Sequence, residues 1–208
     1  KTYFINYRNK RYKDFLYKYD ETLNTLLYII CRLVDGLHCL HKMGLIHGDL
    51  KFGNMMLKFI KDIPSVKIID VDGIGIKKGN LKRNVINYTY YGPETESPSD
   101  INQKDDIYIM GWLILQMFAS YIGYDISLLR PQDHQVNISQ DTIENILNRY
   151  FSLGKLQSNP KLKQIKNKIK KLILNMMIKN KNERWSMRKI KKNMKKCIEF
   201  IDEGKELI

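Results

Sequence analysis

The sequence predicts a mainly α fold of the α+β class: a helical bundle with a small β-hairpin region that carries a polar site. Three observations predict it. Apolar residues repeat at helical spacing early in the chain, at Leu26, Ile30, Leu33, Leu37 and Leu40. Short strand-like runs, "LIH", "MML" and "VKIID", cluster between residues 45 and 70. From "DDIYIMGWLILQMF" onward the pattern is helical to the end.

In chain order, "KTYFINY" alternates weakly and reads as a strand, and residues 12–19 as a short helix. The Leu26–Leu40 helix should stop near Gly44, with His41 and Lys42 in its last turn. "KDIPS", between "MML" and "VKIID", reads as the turn of a hairpin. Residues 71–93 lack periodicity and are rich in Gly, Asn, Lys and Tyr, so they read as one long loop, a length that in a compact domain points to function. The helix after it is apolar almost all round and should be buried. Breaks are expected near Pro131 and around Ser158–Pro160.

The bulk properties narrow the class. The 208 residues are 43% hydrophobic, enough for a real core. No leader pattern opens the chain, and no apolar run reads as a bilayer span, so no transmembrane segment is expected. A first residue of Lys1 suggests a piece of a longer protein. Cys31, Cys39 and Cys197 show no CxxC spacing and cannot all pair, which points to a reducing, cytoplasmic setting. The net charge is +14, and residues 161–196 hold fifteen Lys/Arg against one acid, Glu183. Such a run attracts acidic substrates, anionic lipid or nucleic acid. It does not alternate lysines with aromatic residues as a nucleic-acid platform does, so it reads as a solvated helical face, with no specific nucleic-acid partner.

The chemistry concentrates in "LIHGDLKFGNMML", residues 45–57. Phosphoryl transfer needs a carboxylate to orient the attacking hydroxyl, a cation to balance the moving phosphoryl group, and oxygen ligands for magnesium on the ATP phosphates. Asp49, Lys51 and Asn54 supply these types on one loop, and Asp70 follows sixteen residues after Asn54. A hairpin between them would bring Asn54 and Asp70 together as two magnesium ligands.

"HGDLKFGN" resembles the catalytic loop of eukaryotic protein kinases, His-Arg-Asp-Leu-Lys-x-x-Asn, and "IIDVDG" sits where that family carries its Asp-Phe-Gly metal motif. The loop alone is equally similar to the aminoglycoside and choline phosphotransferases, and Gly48 and Asp72 lean that way. Three later features favour protein kinases. "YYGPE", ending at Glu94, resembles the end of their activation segment. "DIYIMGWLILQM" resembles their central helix, with Asp106 supporting the catalytic loop and Gly111 allowing close packing. "NERWS" places Arg184 where the family pairs an arginine with that glutamate.

The resemblance implies a serine/threonine kinase that uses ATP and magnesium. Asp49 would be the catalytic base and Lys51 would steady the γ-phosphate. Asn54 and Asp70 would hold magnesium, Met56 would lie beneath adenine, and Ile5 and Tyr7 would form the nucleotide-binding hinge. Only the C-terminal lobe is recognisable: residues 1–7 as the last N-lobe strand and hinge, 8–208 as the C-lobe, and 70–94 as the activation segment. No glycine-rich loop or Val-Ala-x-Lys strand is present, so the isolated lobe should bind ATP weakly and expose an apolar upper face. A pseudokinase scaffold is the alternative from another class.

The departures carry expectations of their own. Gly48 replaces the arginine that reads a phosphate on the activation loop, so activity should not require that phosphate; Lys77, Lys78, Lys82 and Arg83 already charge the loop. Asp72 stands for the motif's glycine, with Val71 before it; either the motif is fixed in one state or Gly73 takes the glycine's place. Gly53 stands where kinases of basic substrates carry glutamate, which hints at acidic protein substrates. Asn87 stands where a bridging threonine is usual, while Lys51 favours serine/threonine over tyrosine.

Overall fold

The computed structural model describes residues 2–4, 22–60, 63–70, 75–76, 92–94, 101–122, 138–152 and 160–202. The expected helix at 12–19, the hinge residues Ile5 and Tyr7, the break near Pro131, and Val71, Asp72, Gly73, Lys77, Lys78, Lys82, Arg83 and Asn87 lie outside them.

The chain runs β1 (Thr2–Phe4), α1 (Thr22–Lys42), β2 (Leu45–Ile46), a 3-10 turn (Phe52–Asn54), β3 (Met55–Ile60), β4 (Ile63–Ile68) and β5 (Gly75–Ile76). Four helices follow: α2 (Gln103–Tyr121), α3 (Gln140–Phe151), α4 (Pro160–Met176) and α5 (Met187–Asp202). The predicted mainly helical fold with a small hairpin region is what the structure shows.

Helix α1 forms for the reason its spacing gives. Leu26, Leu27, Ile30, Leu33, Val34 and Leu37 are at most 1% exposed. It ends as expected: the Gly44 N–H reaches the His41 carbonyl at 3.1 Å, and Gly44 takes a φ of 78°, a conformation glycine adopts without a Cβ penalty. Among the described residues, Leu23–Lys42 is long and apolar enough to cross a membrane on length and composition alone, a test that a core helix also passes. Here it is the central core helix, and its apolar side is already covered by protein.

The hairpin is longer than predicted. Antiparallel β3 and β4 stay in register from Met55↔Ile68 to Ile60↔Ile63, so β4 takes in Pro64. Proline is tolerated there because β4 is an edge in the order β1–β3–β4. Along β3, Met55 and Leu57 are buried, Met56 is half-buried and Lys58 exposed, the period-2 alternation of a one-faced sheet. β1 pairs with β3 and sets Phe4 opposite Met56. The expected 71–93 loop is not wholly without regular structure: Gly75–Ile76 pairs with Leu45–Ile46.

Helix α2 is buried on all sides, from Ile107 to Ala119. Its start is a reciprocal cap: Lys104 N–H donates to Asn102 Oδ1 at 2.8 Å, and Asn102 N–H donates to Asp105 Oδ2 at 2.9 Å. A Cβ at Gly111 would sit 2.8 Å from Met177 Cγ and 2.9 Å from Met176 Cβ, so glycine lets this helix meet the end of α4 as expected. Phe118, Tyr150 and Phe151 close the core between α2 and α3, with Tyr150 edge-on to Phe118 at 4.8 Å. A break between Met176 and Met187 was not foreseen in the pattern; α5 restarts with Ser186 accepting the Lys189 N–H at 3.4 Å. Met55, Met176 and Met177 are core residues. The expected apolar upper face does not appear among the described residues, where the exposed large apolar side chain is Met43, at 60%.

Candidate active site

The site is built from the floor up. Asp106, 2% exposed, lies in the first turn of α2 and faces the loop after β2. Its Oδ2 accepts the His47 N–H at 2.8 Å and its Oδ1 accepts the Gly48 N–H at 2.7 Å. His41 Nε2, from the last turn of α1, lies 2.8 Å from the same Oδ2. A buried carboxylate costs several kcal/mol unless donors surround it, and here they do. One turn earlier, Gln103 Nε2 donates to the carbonyls of His41 and Leu45 at 3.0 and 2.9 Å. The first turn of α2 therefore holds both flanks of the segment that precedes Asp49.

Above it, His47 holds the loop rather than reacting. Its ring is fully buried. The Asp49 N–H donates to Nδ1 at 3.2 Å, which leaves Nε2 to donate to the Ile69 carbonyl at 3.2 Å. That imidazole bridges the loop to the strand carrying Asp70. Gly48 has a φ of 69°, so the residue replacing the family's arginine occupies a conformation glycine prefers.

Asp49, Lys51 and Asn54 come together. Lys51 Nζ donates to Asp49 Oδ2 at 2.7 Å. Asn54 Nδ2 donates to the Asp49 carbonyl at 2.8 Å and to Oδ2 at 3.1 Å. The 3-10 turn makes this possible: the Asn54 N–H reaches the Lys51 carbonyl at 2.9 Å, bringing the asparagine back over the aspartate. The Asp49 carboxylate is about a quarter exposed and Lys51 more so, so the pair opens to solvent.

Asp70 is brought to the same edge by the hairpin. The Ile69 N–H donates to the Asn54 carbonyl at 2.9 Å, continuing the β3–β4 ladder. Asp70 is exposed with a φ of 61°, a left-handed conformation that costs an aspartate of order 1 kcal/mol. Met56 follows on β3 beside β1.

A second cluster is built on the same end of α2. Arg184, 2% exposed, donates to Glu94 Oε2 at 2.5 Å, to the Lys104 carbonyl at 3.0 Å, and to the Ile178 and Lys179 carbonyls at 2.7 and 3.1 Å. Its guanidinium also lies 4.5 Å from the centre of the Tyr108 ring. Lys104 Nζ returns a bond to the Arg184 carbonyl at 2.5 Å. Burial, then the Arg184 charge, pulls the Lys104 pKa below its ordinary value. Burial pushes the Tyr108 phenol up to about 12. A Cβ at Gly92 would lie 2.9 Å from Glu94 Oε2 and 3.0 Å from Arg184 Nη2, so the ion pair leaves room only for glycine. The pairing of Glu94 with Arg184 expected from sequence is present. The roles of His41, Gln103 and Lys104 were not read there; His41 had been noted only as a cation at a helix end.

This geometry defines a phosphotransferase-type loop held by a buried helix. A family model of the protein kinase domain matches residues 7–194, and the chain belongs to that family. The match decides against the small-molecule phosphotransferases. Among curated proteins, the chain is 30% identical over 101 residues to the dual specificity protein kinase zakA of Dictyostelium discoideum, covering 44% of this chain and 13% of that protein. It is 32% identical over 120 residues to a probable serine/threonine-protein kinase of the same organism, covering 54% of this chain and 18% of that one. With the serine/threonine-protein kinase STE20 of Eremothecium gossypii it shares 36% over 92 residues, covering 43% and 9%. The matched regions span less than a fifth of those relatives.

Replacing Arg184 by alanine should lower stability by about 3 kcal/mol, because Glu94 and three carbonyls lose their donor. Arg184→Lys should recover less than half of that loss, since one ammonium cannot span all four acceptors. Urea unfolding of the two variants measures both; full stability in the lysine variant would refute the multidentate role.

Proposed function

We propose that this chain is the catalytic lobe of a serine/threonine-protein kinase that transfers the γ-phosphoryl group of ATP with magnesium. The observation that carries the reading is the Asp49 carboxylate. Lys51 and Asn54 both donate to Oδ2, and among the described residues Oδ1 has no partner. A substrate hydroxyl can therefore donate to Oδ1. As its oxygen attacks phosphorus, the proton passes to Asp49. Lys51, already 2.7 Å from that carboxylate, stands where its ammonium can balance charge on the moving phosphoryl group.

The residues present fit a magnesium ion. Both Asn54 Nδ2 bonds go to Asp49, so the amide turns its Oδ1, an oxygen ligand, outward. Asp70 adds an exposed carboxylate two residues past the end of β4. One carboxylate and one amide suit magnesium, which takes its remaining ligands from phosphates and water. When bound, the ion would neutralise developing charge on the phosphates. Met56, half-buried on β3 opposite Phe4, supports the adenine-floor role; Ile5 and Tyr7, which follow Phe4 in sequence, take the hinge role in this reading.

The domain layout follows the same reading: hinge at 1–7, lobe at 8–208, activation segment at 70–94. Gly48 offers no arginine to bind an activation-loop phosphate, so activity stands without that phosphate. Gly53 is exposed and open to solvent, which leaves the substrate side of the loop without an acidic group and supports acidic protein substrates.

In the intact protein, Asp49→Ala should cut phosphorylation of a serine/threonine peptide library by about three orders of magnitude while leaving the fold intact. Undiminished transfer in that variant would remove Asp49 from the chemistry, and no transfer by the unmutated protein would leave a binding scaffold instead. Phosphatase treatment of active protein should leave its rate unchanged; loss of activity would refute independence from loop phosphorylation.

A further inference from the structure

The lysine run of α4 and α5 is for the most part a solvated face, with Lys170 on Glu144 at 2.8 Å and Lys189 over the Trp185 ring at 4.4 Å. The seam where α5 lies against α1 is different. On α1, Arg32, Asp35, Cys39 and Lys42 fall on one ridge at helical spacing, and all are exposed or half-buried. Across the seam, Lys191 Nζ lies 2.7 Å from Asp35 Oδ1, a charge contact without hydrogen-bond alignment. Lys195 follows one turn on and is exposed.

These cations share one neighbourhood. His38, between the ridge and the core, is held below its ordinary pKa by burial and then by the charges of Lys191 and Lys42. The Cys31 thiol, raised mainly by burial, feels Arg32, Lys191 and Lys195 together. Against them α1 contributes a single acid, Asp35, and α5 carries acids only at Glu199 and Asp202 near its end. The end of α1 also adjoins the site: His41, next to Lys42, reaches Asp106 at 2.8 Å, and Asp106 holds the His47 and Gly48 amides.

We propose that the α1–α5 seam docks a glutamate- or aspartate-rich segment of the protein substrate and so delivers its acceptor residue toward the catalytic loop. The proposal rests on the kinase reading. Asp35 already shows what the seam accepts, a single carboxylate against a lysine ammonium. Three of the four cations, Lys42, Lys191 and Lys195, are point charges without the fork that grips phosphate in two places, and Arg32 alone carries one. No aromatic side chain lies among these positions to stack a base, and Met43, at the end of the ridge, offers too little apolar surface to enter a membrane. Charge complementarity with an acidic polypeptide is what remains.

The test uses the intact protein with Arg32, Lys42, Lys191 and Lys195 all changed to Gln, beside a control in which Arg32→Lys, Lys42→Arg, Lys191→Arg and Lys195→Arg keep the charge. Fluorescence anisotropy reads binding of a labelled glutamate-rich serine peptide; a glutamine-rich peptide is the neutral comparison. Across four surface sites the glutamine variant should bind the acidic peptide about ten-fold more weakly at physiological salt, and its KM for that peptide should rise by the same factor. Its kcat, and its KM for the neutral peptide, should not change, and the charge-keeping control should behave as wild type. Equal binding of the acidic peptide by both variants overturns the proposal. So does a result in which duplex DNA or anionic vesicles lose binding in the glutamine variant while the acidic peptide does not. Binding through the seam without any turnover would sink the kinase reading and leave the docking surface standing.

Discussion

A single buried carboxylate, that of Asp106, sets the shape of the active loop. Helix α2 is buried from Ile107 to Ala119, so a charge at its start must be fully bonded or it destabilises the helix that carries it. The bonds it finds are two successive backbone N–H groups, of His47 and Gly48, and the His41 ring. Its place in the first turn of the helix adds the favourable field of the helix N-terminus. Two amides pinned in sequence leave the backbone little freedom, and Asp49 is the next residue along.

From there the order propagates outward. His47 passes it to the Ile69 carbonyl, and hence to the strand end that carries Asp70. The 3-10 turn folds Asn54 back onto Asp49. The neighbouring flank is held by Arg184, which ties Glu94 to the backbone of the first turn of α2. Both clusters hang on the same helix, and Gly111 lets that helix sit against Met176 and Met177 without a gap.

Much of this was legible in the sequence, for identifiable reasons. Helix α1 declares itself by apolar spacing, and the hairpin by short strands around a turn. The gathering of Asp49, Lys51 and Asn54 on one loop, the support of that loop by Asp106 and the pairing of Arg184 with Glu94 were legible from motif order. What stayed hidden depends on partners far apart in the chain. His41 meets Asp106 across 65 positions and Lys104 meets Arg184 across 80, and neither pair has a local pattern. The two-residue strand β5 inside the expected loop was hidden for the same reason, since it exists only by pairing with Leu45–Ile46. Likewise the basic run from residue 161 looks uniform as a string. Only the packing of α5 on α1 separates Lys191 and Lys195 from the lysines that merely face water.

The most direct test of this account is native-state hydrogen exchange at the His47 and Gly48 amides, compared between the wild-type protein and Asp106→Asn. The account predicts that both amides in the wild type exchange only through openings nearly as costly as global unfolding. In the variant at least one should exchange much faster while the amides within α2 stay protected. Fast exchange of both in the wild type, or equal protection in the two proteins, would contradict the claim that Asp106 holds the loop.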